Sequence, residues 1–198
     1  MKIPRITTAG RAGLGAVLLA LLMLPPLRHA LEAGMNLHML AQYPALMLAG
    51  ALLGMGLPRA LQRRLSAWNA LGISGLLACA LFIAVLMIPR VLDLALVDTR
   101  VELAKVAALL YCGAVLRPSW RAAGLVVQGF FLGNILPMTI IVGTLYQDSL
   151  LRLCNAYRLD EQQQLGLALV WLAIVVAVAW LLHVMRCLNT SVPWSPQP

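Results

Sequence analysis

Charged side chains are scarce in this sequence, because Asp, Glu, Lys and Arg together make up 11% of its 198 residues. An average soluble domain carries about 25% charged residues, whereas hydrophobic residues reach 62% here. The apolar residues occur in runs close to the ~20 residues that a helix needs to cross a bilayer. This composition excludes an ordinary water-soluble fold and predicts an integral membrane protein.

The sequence also lacks the common motifs of soluble enzymes. It contains no Gly-rich phosphate loop, no GxSxG elbow and no HExxH pair. Its four cysteines stand apart without a CxxC pair, so neither a thiolate zinc site nor a disulfide framework is indicated. The formal charge of +8 is spread over short loops and forms no basic stripe with interleaved aromatics. We therefore expect neither an enzyme nor a nucleic-acid-binding protein.

The fold is predicted to be all-α, a polytopic transmembrane helix bundle that forms one integral membrane domain over residues 1–198. Runs such as 166–185 are apolar on every face, which predicts membrane-spanning helices. About six spans are expected, at residues 12–27, 35–57, 68–88, 101–116, 122–146 and 165–185.

Two of these spans have unusual features. The first resembles a signal peptide, but Leu31 stands where a small residue is expected before the cleavage site, so we expect an uncleaved helix, bent at Pro25 and Pro26. The fourth is the most polar, since Glu102 and Lys105 lie i,i+3 in its first turns and can pair on one helix face.

Basic residues predict the orientation of the bundle. The six-span arrangement puts nine of the fifteen basic residues on the side of both termini, which predicts cytoplasmic termini; these are Lys2, Arg5, Arg11, Arg59, Arg63, Arg64, Arg117, Arg121 and Arg186.

The acidic residues are expected at or near the opposite, outer face, together with His29 and His38. Because acidic residues contribute little to orientation, this segregation is a separate observation and predicts an outward-facing polar site. Around the third outer loop, Asp93, Asp98, Glu102 and Lys105 are expected to form a solvated helix entrance.

The second span begins with a stripe of chemically active residues at i,i+3,i+4,i+7 spacing; its members are Glu32, Met35, His38, Met39 and Gln42. Thioethers and imidazole together suit Cu(I), so His38, Met35 and Met39 are candidate copper ligands. The alternative is that Met35 and Met39 are packing residues and that His38 forms a hydrogen bond at the membrane interface.

Small residues predict close helix packing at two places. Gly50 and Gly54 in the second span and Gly129 and Gly133 in the fifth have GxxxG spacing. At the start of the last helix, Asp160 and the residue after it are placed to interact favourably with the helix dipole.

Three segments resemble the CtaG family, membrane proteins associated with assembly of the copper centre of cytochrome c oxidase. They are the His-Met-rich MNLHMLAQYPALMLAG, the proline-aspartate stretch IPRVLDLAL, and DEQQQLGLALVW, which is similar to the late Asp-Gln-Gln-x-x-Gly-x-x-x-Trp pattern of the family. The resemblance extends from about Met35 to Trp171. It implies an assembly factor or chaperone of the respiratory chain in the bacterial inner membrane. It also implies that the protein binds copper through His38, Met35 and Met39, with Asp98 or Asp160 as outer-face partners.

Two alternatives remain open from the sequence. The family commonly carries a second histidine where this chain has Gln42 or Gly34, which favours a metal-free scaffold that packs against oxidase subunits or other assembly factors in the lipid bilayer. The other alternative is a small-solute transporter that uses Glu102, Lys105, Gln128 and Asn134 along a pathway.

Overall fold

A computed structural model describes residues 7–149 and 151–191, without the side chains of Arg59, Thr190 and Ser191. Lys2 and Arg5, two of the residues used for the orientation, lie outside this part. The described chain is all-helical, with nine α-helices and one π-helical segment. The helices are α1 (Thr8–Met23), α2 (Pro25–Glu32), α3 (Tyr43–Gly56, preceded by the π-helical Leu37–Gln42), α4 (Arg59–Trp68), α5 (Ile73–Leu86), α6 (Pro89–Val97), α7 (Thr99–Ala122), α8 (Leu125–Asp148) and α9 (Leu159–Ser191).

Within the described residues, three helices are long and apolar enough to cross a membrane: Leu37–Gly56, Leu125–Asp148 and Leu159–Asn189. Two bent pairs raise the number to five if each pair forms one span. One is α1 with α2, bent by 70°, and the other is Ala60–Trp68 with α5, bent by 82°. The predicted multi-pass membrane fold is thus confirmed at the level of three to five spans. The fourth predicted span, 101–116, corresponds to α7, which is not among these candidates.

The first bend lies where the prolines predicted it. Leu24 is extended between α1 and α2, and Pro25 and Pro26 occupy the first turn of α2. Because proline has no N–H to donate and its ring clashes with the preceding turn, a helix entering this pair must break and restart. The restart directs α2 away from the axis of α1 and brings its last residue, Glu32, into the interior.

The centre of the bundle is α7, which packs most extensively against α3 and also contacts α5 and α6. Glycines allow the backbones of α3 and α7 to meet. A Cβ atom on Gly50 would collide with the backbone of Leu110, and one on Gly113 would collide with the backbone of Met47. The predicted packing role of the Gly50 and Gly54 pair is therefore confirmed, because a Cβ on Gly54 would also lie 3.0 Å from Ala114.

The second glycine pair behaves differently at its two positions. A Cβ atom on Gly129 would lie 3.0 Å from the Trp180 ring, whereas one on Gly133 would meet no atom within 4 Å. Helix α8 instead approaches α9 closely at Gly143, where an added Cβ would lie 2.8 Å from the carbonyl oxygen of Gly166. Close packing in α8 is therefore confirmed for Gly129 and not for Gly133.

Candidate functional site

The ammonium group of Lys105 is the centre of a buried polar cluster. Lys105 is only 1% exposed, and its Nζ lies 2.6 Å from Oε2 of Glu102 and 3.4 Å from Oε1 of Glu32. The same nitrogen lies 2.9 Å from Nε2 of His38 and 3.2 Å from Oε1 of Gln42. Four polar groups therefore surround three ammonium protons, which offsets part of the desolvation of the charge.

Arg28 closes the cluster from α2. Its Nε lies 3.1 Å from Oε1 of Glu32 and 3.6 Å from Oε1 of Glu102. Two carboxylates thus face two cations, and the net formal charge is zero when His38 is neutral. We call this set the charged cluster; it comprises Arg28, Glu32, His38, Gln42, Glu102, Lys105 and Tyr157.

The hydrogen bonds of Tyr157 determine the tautomer of His38. The Tyr157 hydroxyl donates to the carbonyl oxygen of Glu32 at 3.2 Å and lies 2.6 Å from Nδ1 of His38. Because burial raises the pKa of Tyr157 above its usual range, the hydroxyl keeps its proton. The hydroxyl then accepts from Nδ1–H, and Nε2 is left to accept from Lys105. Both ring nitrogens of His38 are therefore engaged.

All five members of the sequence stripe that contains His38 are buried, but they do not lie on one α-helix as predicted, because α2 ends at Glu32 and the chain bends before Met35. The members of this stripe are at most 9% exposed; they are Glu32, Met35, His38, Met39 and Gln42. The backbone is π-helical from Leu37 to Gln42, and Pro44 supplies a reason, because it cannot donate to Leu40 and its ring pushes that carbonyl away. Single π-helical turns within α-helices are frequent at functional sites.

Sulfur-containing side chains from three parts of the chain belong to one buried core beside the charged cluster. Met35 and Met39 share one buried core with Met87 at the end of α5, Cys154 in the loop before α9, and Tyr157. We call the four sulfur-containing side chains the sulfur cluster. Burial, followed by the charge of Asp93, raises the pKa of Cys154 to about 12, so this thiol is protonated at neutral pH.

The two clusters differ in their suitability for a soft metal ion. Three thioethers and a thiol offer the polarisable donors that Cu(I) prefers. His38 does not fit as a ligand in this arrangement, because its Nε2 lone pair accepts from Lys105 and the ammonium charge repels a second cation. Among the described residues, no group of three or more His, Cys, Asp or Glu side chains could hold a metal ion.

Asp98 and Asp160, the predicted outer-face partners, are not brought to His38. Asp98 is exposed and accepts a hydrogen bond from the backbone N–H of Arg100 at 2.8 Å, which makes it the N-cap of α7. Asp160 is exposed in the first turn of α9 and pairs with Arg158 at 3.1 Å. Both residues therefore serve helix ends in this structure, as the sequence predicted for Asp160.

The residues that follow Asp160 hold α9 against the start of α3. The carboxylate of Glu161 accepts from the backbone N–H of Met35 at 3.2 Å, and Gln164 accepts from the Asn36 amide at 3.3 Å. Gln162 is buried and donates to the carbonyl oxygen of Tyr146 at 3.2 Å. The late motif thus positions the stripe that carries His38.

The loop before α9 is fixed from the other side by Asp93 of α6. Its carboxylate accepts from the backbone N–H groups of Asn155 at 2.8 Å and Ala156 at 3.3 Å. These bonds position the next residue, Tyr157, so that its hydroxyl lies within hydrogen-bond distance of the His38 ring. The proline-aspartate stretch, through Asp93 and Tyr157, and the late motif, through Glu161, therefore both hold the segment that contains His38 in place.

The solvated helix entrance predicted for Glu102 and Lys105 is wrong. Glu102 is 2% and Lys105 is 1% exposed, because the predicted i,i+3 pair turns inward and finds further charges on α2. The structure also places Arg28 and Tyr157 in the charged cluster, and neither was predicted from the sequence. Arg28 could have been found from its i,i+4 spacing to Glu32, whereas Tyr157 lies 119 residues from His38.

The polar residues of α8 are separate from the charged cluster. Gln128 donates to the carbonyl oxygens of Trp120 and Ala123, and Asn134 donates to that of Phe130. These side chains thus satisfy nearby backbone groups. The structure does not bring them together with Glu102 and Lys105 into one polar pathway.

No protein-family model, no curated protein and no solved structure matches the chain.

Proposed function

We propose that this chain is a bacterial inner-membrane protein with six membrane-spanning helices that assists copper delivery to, or assembly of, a respiratory haem-copper oxidase. In this proposal α7 is the span that is added to the five candidates. Its pairing inside the bundle supports this assignment, because Glu102 and Lys105 are buried against other helices and do not face lipid. Both termini are cytoplasmic in the proposal, so the charged cluster and the sulfur cluster lie towards the outer face.

The sulfur cluster is the observation that carries the proposal. Three methionines and one cysteine share one buried core although they come from separate parts of the chain. Hard cations prefer oxygen ligands, so the cargo that this donor set favours is Cu(I). Thioether ligands exchange readily, and a site of this kind is suited to passing copper on.

Met35 and Met39 are the first candidate ligands, because their sulfur atoms belong to the sulfur cluster. His38 can join them only after Lys105 leaves Nε2 and pairs with the two carboxylates alone. In the proposal, the copper-loaded state therefore differs from this structure in the position of the Lys105 side chain.

The test is the amount of Cu(I) retained by the full-length protein, purified in detergent under reducing conditions. Wild type is expected to retain Cu(I), and M35L/M39L to lose it, because leucine preserves volume without a sulfur donor. The matched control is M185L, since Met185 is exposed on α9 outside the sulfur cluster. If wild type carries no Cu(I), copper delivery by this chain is wrong.

A metal-free scaffold for oxidase biogenesis is the second candidate, and the occupied ring nitrogens of His38 favour it. A strain that lacks the gene distinguishes copper delivery from scaffolding. If added copper corrects the oxidase deficiency of this strain, delivery is supported. Full complementation by both M35L/M39L and His38→Ala, in cells that contain wild-type amounts of protein, supports the scaffold.

A further inference from the structure

A large cavity lies at the opposite end of α3 and α7 from the charged cluster. Its volume is about 930 Å³, and it is bounded by residues of α3, α4, α5 and α7. Ligand-binding cavities in proteins commonly measure about 300–1,000 Å³. The cavity is thus large enough for a substantial ligand and is separate from the site described above.

Three arginines line this cavity without an acidic partner. They are Arg63 on α4 and Arg117 and Arg121 on α7, the last two at i,i+4 spacing on one helix face. None of the seven acidic residues of the chain lines the cavity, and these three arginines form no ion pair with another described residue. The cavity therefore concentrates positive charge that nothing in the described part neutralises.

The rest of the lining divides into polar and apolar parts. Gln62, Ser66 and Asn69 add neutral hydrogen-bonding groups near the arginines, and the apolar lining includes Leu57, Tyr111 and Val115. A ligand that matches both parts has an anionic end and an apolar end.

Helix α4 indicates where the bilayer interface lies relative to this cavity. The helix is short and amphipathic, has three arginines, and meets α5 at 82°. Trp68 at its end is 88% exposed, as is common for tryptophan at the depth of lipid headgroups. An amphipathic basic helix of this kind lies in the plane of the interface, and it places Arg63 at headgroup depth.

We propose that this cavity binds an anionic phospholipid, with the lipid phosphate between Arg63, Arg117 and Arg121 and an acyl chain along Leu57, Tyr111 and Val115. Guanidinium groups form charge-assisted, often bidentate, hydrogen bonds with phosphate. Basic pockets between membrane helices on the cytoplasmic side take such headgroups, and this is the cytoplasmic end in the orientation proposed above.

The test uses the full-length protein, stripped of lipid in a neutral detergent and titrated with phosphatidylglycerol, phosphatidylcholine or inorganic phosphate. Native mass spectrometry measures bound lipid, and thermal unfolding measures stabilisation. Phosphatidylglycerol is expected to bind and to raise Tm, whereas phosphatidylcholine and inorganic phosphate are expected to have little effect. Each Arg→Gln substitution is expected to weaken binding of phosphatidylglycerol roughly five-fold, and R63Q/R117Q/R121Q roughly one-hundred-fold.

The matched control is R64Q/R90Q/R100Q, which removes the same charge at exposed positions outside the cavity lining. It is expected to retain phosphatidylglycerol binding. Equal binding of phosphatidylcholine, equal stabilisation by inorganic phosphate, or equal loss in the control variant would each overturn the proposal. If the triple variant does not fold, phosphatidylglycerol binding is compared between R63Q and R64Q, because the two residues are neighbours on α4 and only Arg63 lines the cavity. Equal binding by these two variants would overturn the proposal.

Discussion

Nζ of Lys105 lies 2.9 Å from Nε2 of His38, and this contact joins α7 to the π-helical start of the Leu37–Gly56 span. A lysine ammonium and an imidazole are both potential cations, so their proximity in a buried place requires the imidazole to be neutral and to act as an acceptor. The carboxylates of Glu32 and Glu102 pair with the same ammonium group and balance its charge. The charged cluster therefore fixes the relative positions of α2, α3 and α7.

Removal of Lys105 is the first prediction. Lys105→Met is expected to lower the free energy of unfolding by about 3–5 kcal/mol, because Glu32 and Glu102 remain buried with only Arg28 to balance two negative charges. Unfolding in mixed micelles, followed by circular dichroism, measures the change.

Two further variants control this measurement. E102Q/K105M removes one charge of each sign and is expected to be more stable than Lys105→Met alone. Arg158→Gln breaks the exposed pair with Asp160 and is expected to change the stability by about 1 kcal/mol or less. If Lys105→Met were as stable as Arg158→Gln, the charged cluster would not hold α7 in place.

Several parts of this fold could be predicted because they depend on local chemistry. The prolines at 25 and 26 cannot continue a helix, so the bend follows from two adjacent residues. The ion pair of Glu102 and Lys105 follows from their i,i+3 spacing on α7.

Other parts depend on contacts between distant segments and could not be predicted in this way. Spacing shows that Glu102 and Lys105 share a face but does not show whether that face meets water or protein. The inward direction results from Arg28 and Glu32, which α2 brings over α7 only because of the bend. Tyr157 reaches His38 because Asp93 holds the intervening loop, and neither relationship has a periodic pattern in the sequence.

The glycines of α3 lead to a second prediction. Gly50→Ala is expected to destabilise the protein by about 1–3 kcal/mol, because the added Cβ would collide with the Leu110 backbone and separate α3 from α7. Gly133→Ala is the matched control, since a Cβ there meets no atom within 4 Å; alanine is expected to leave stability unchanged or to raise it through its higher helix propensity. Equal effects of the two substitutions on unfolding in mixed micelles would contradict the close approach at Gly50.

The thiol of Cys154 leads to the last prediction, which concerns pH. Burial and the charge of Asp93 raise its pKa to about 12, whereas an unfolded cysteine has a pKa near 8.5. Since only the thiolate reacts with iodoacetamide, the reactive fraction at pH 8 is expected to be on the order of a thousand-fold smaller in the folded protein.

Peptide mapping after brief labelling between pH 7 and 11 measures the rate at Cys154 in native and detergent-unfolded protein. The native rate is expected to keep rising about ten-fold per pH unit, while the unfolded rate levels off near pH 9. A native rate that levels off at the same pH would mean that the thiolate forms as readily as in the unfolded chain, and Cys154 would then not belong to a closed, apolar sulfur cluster.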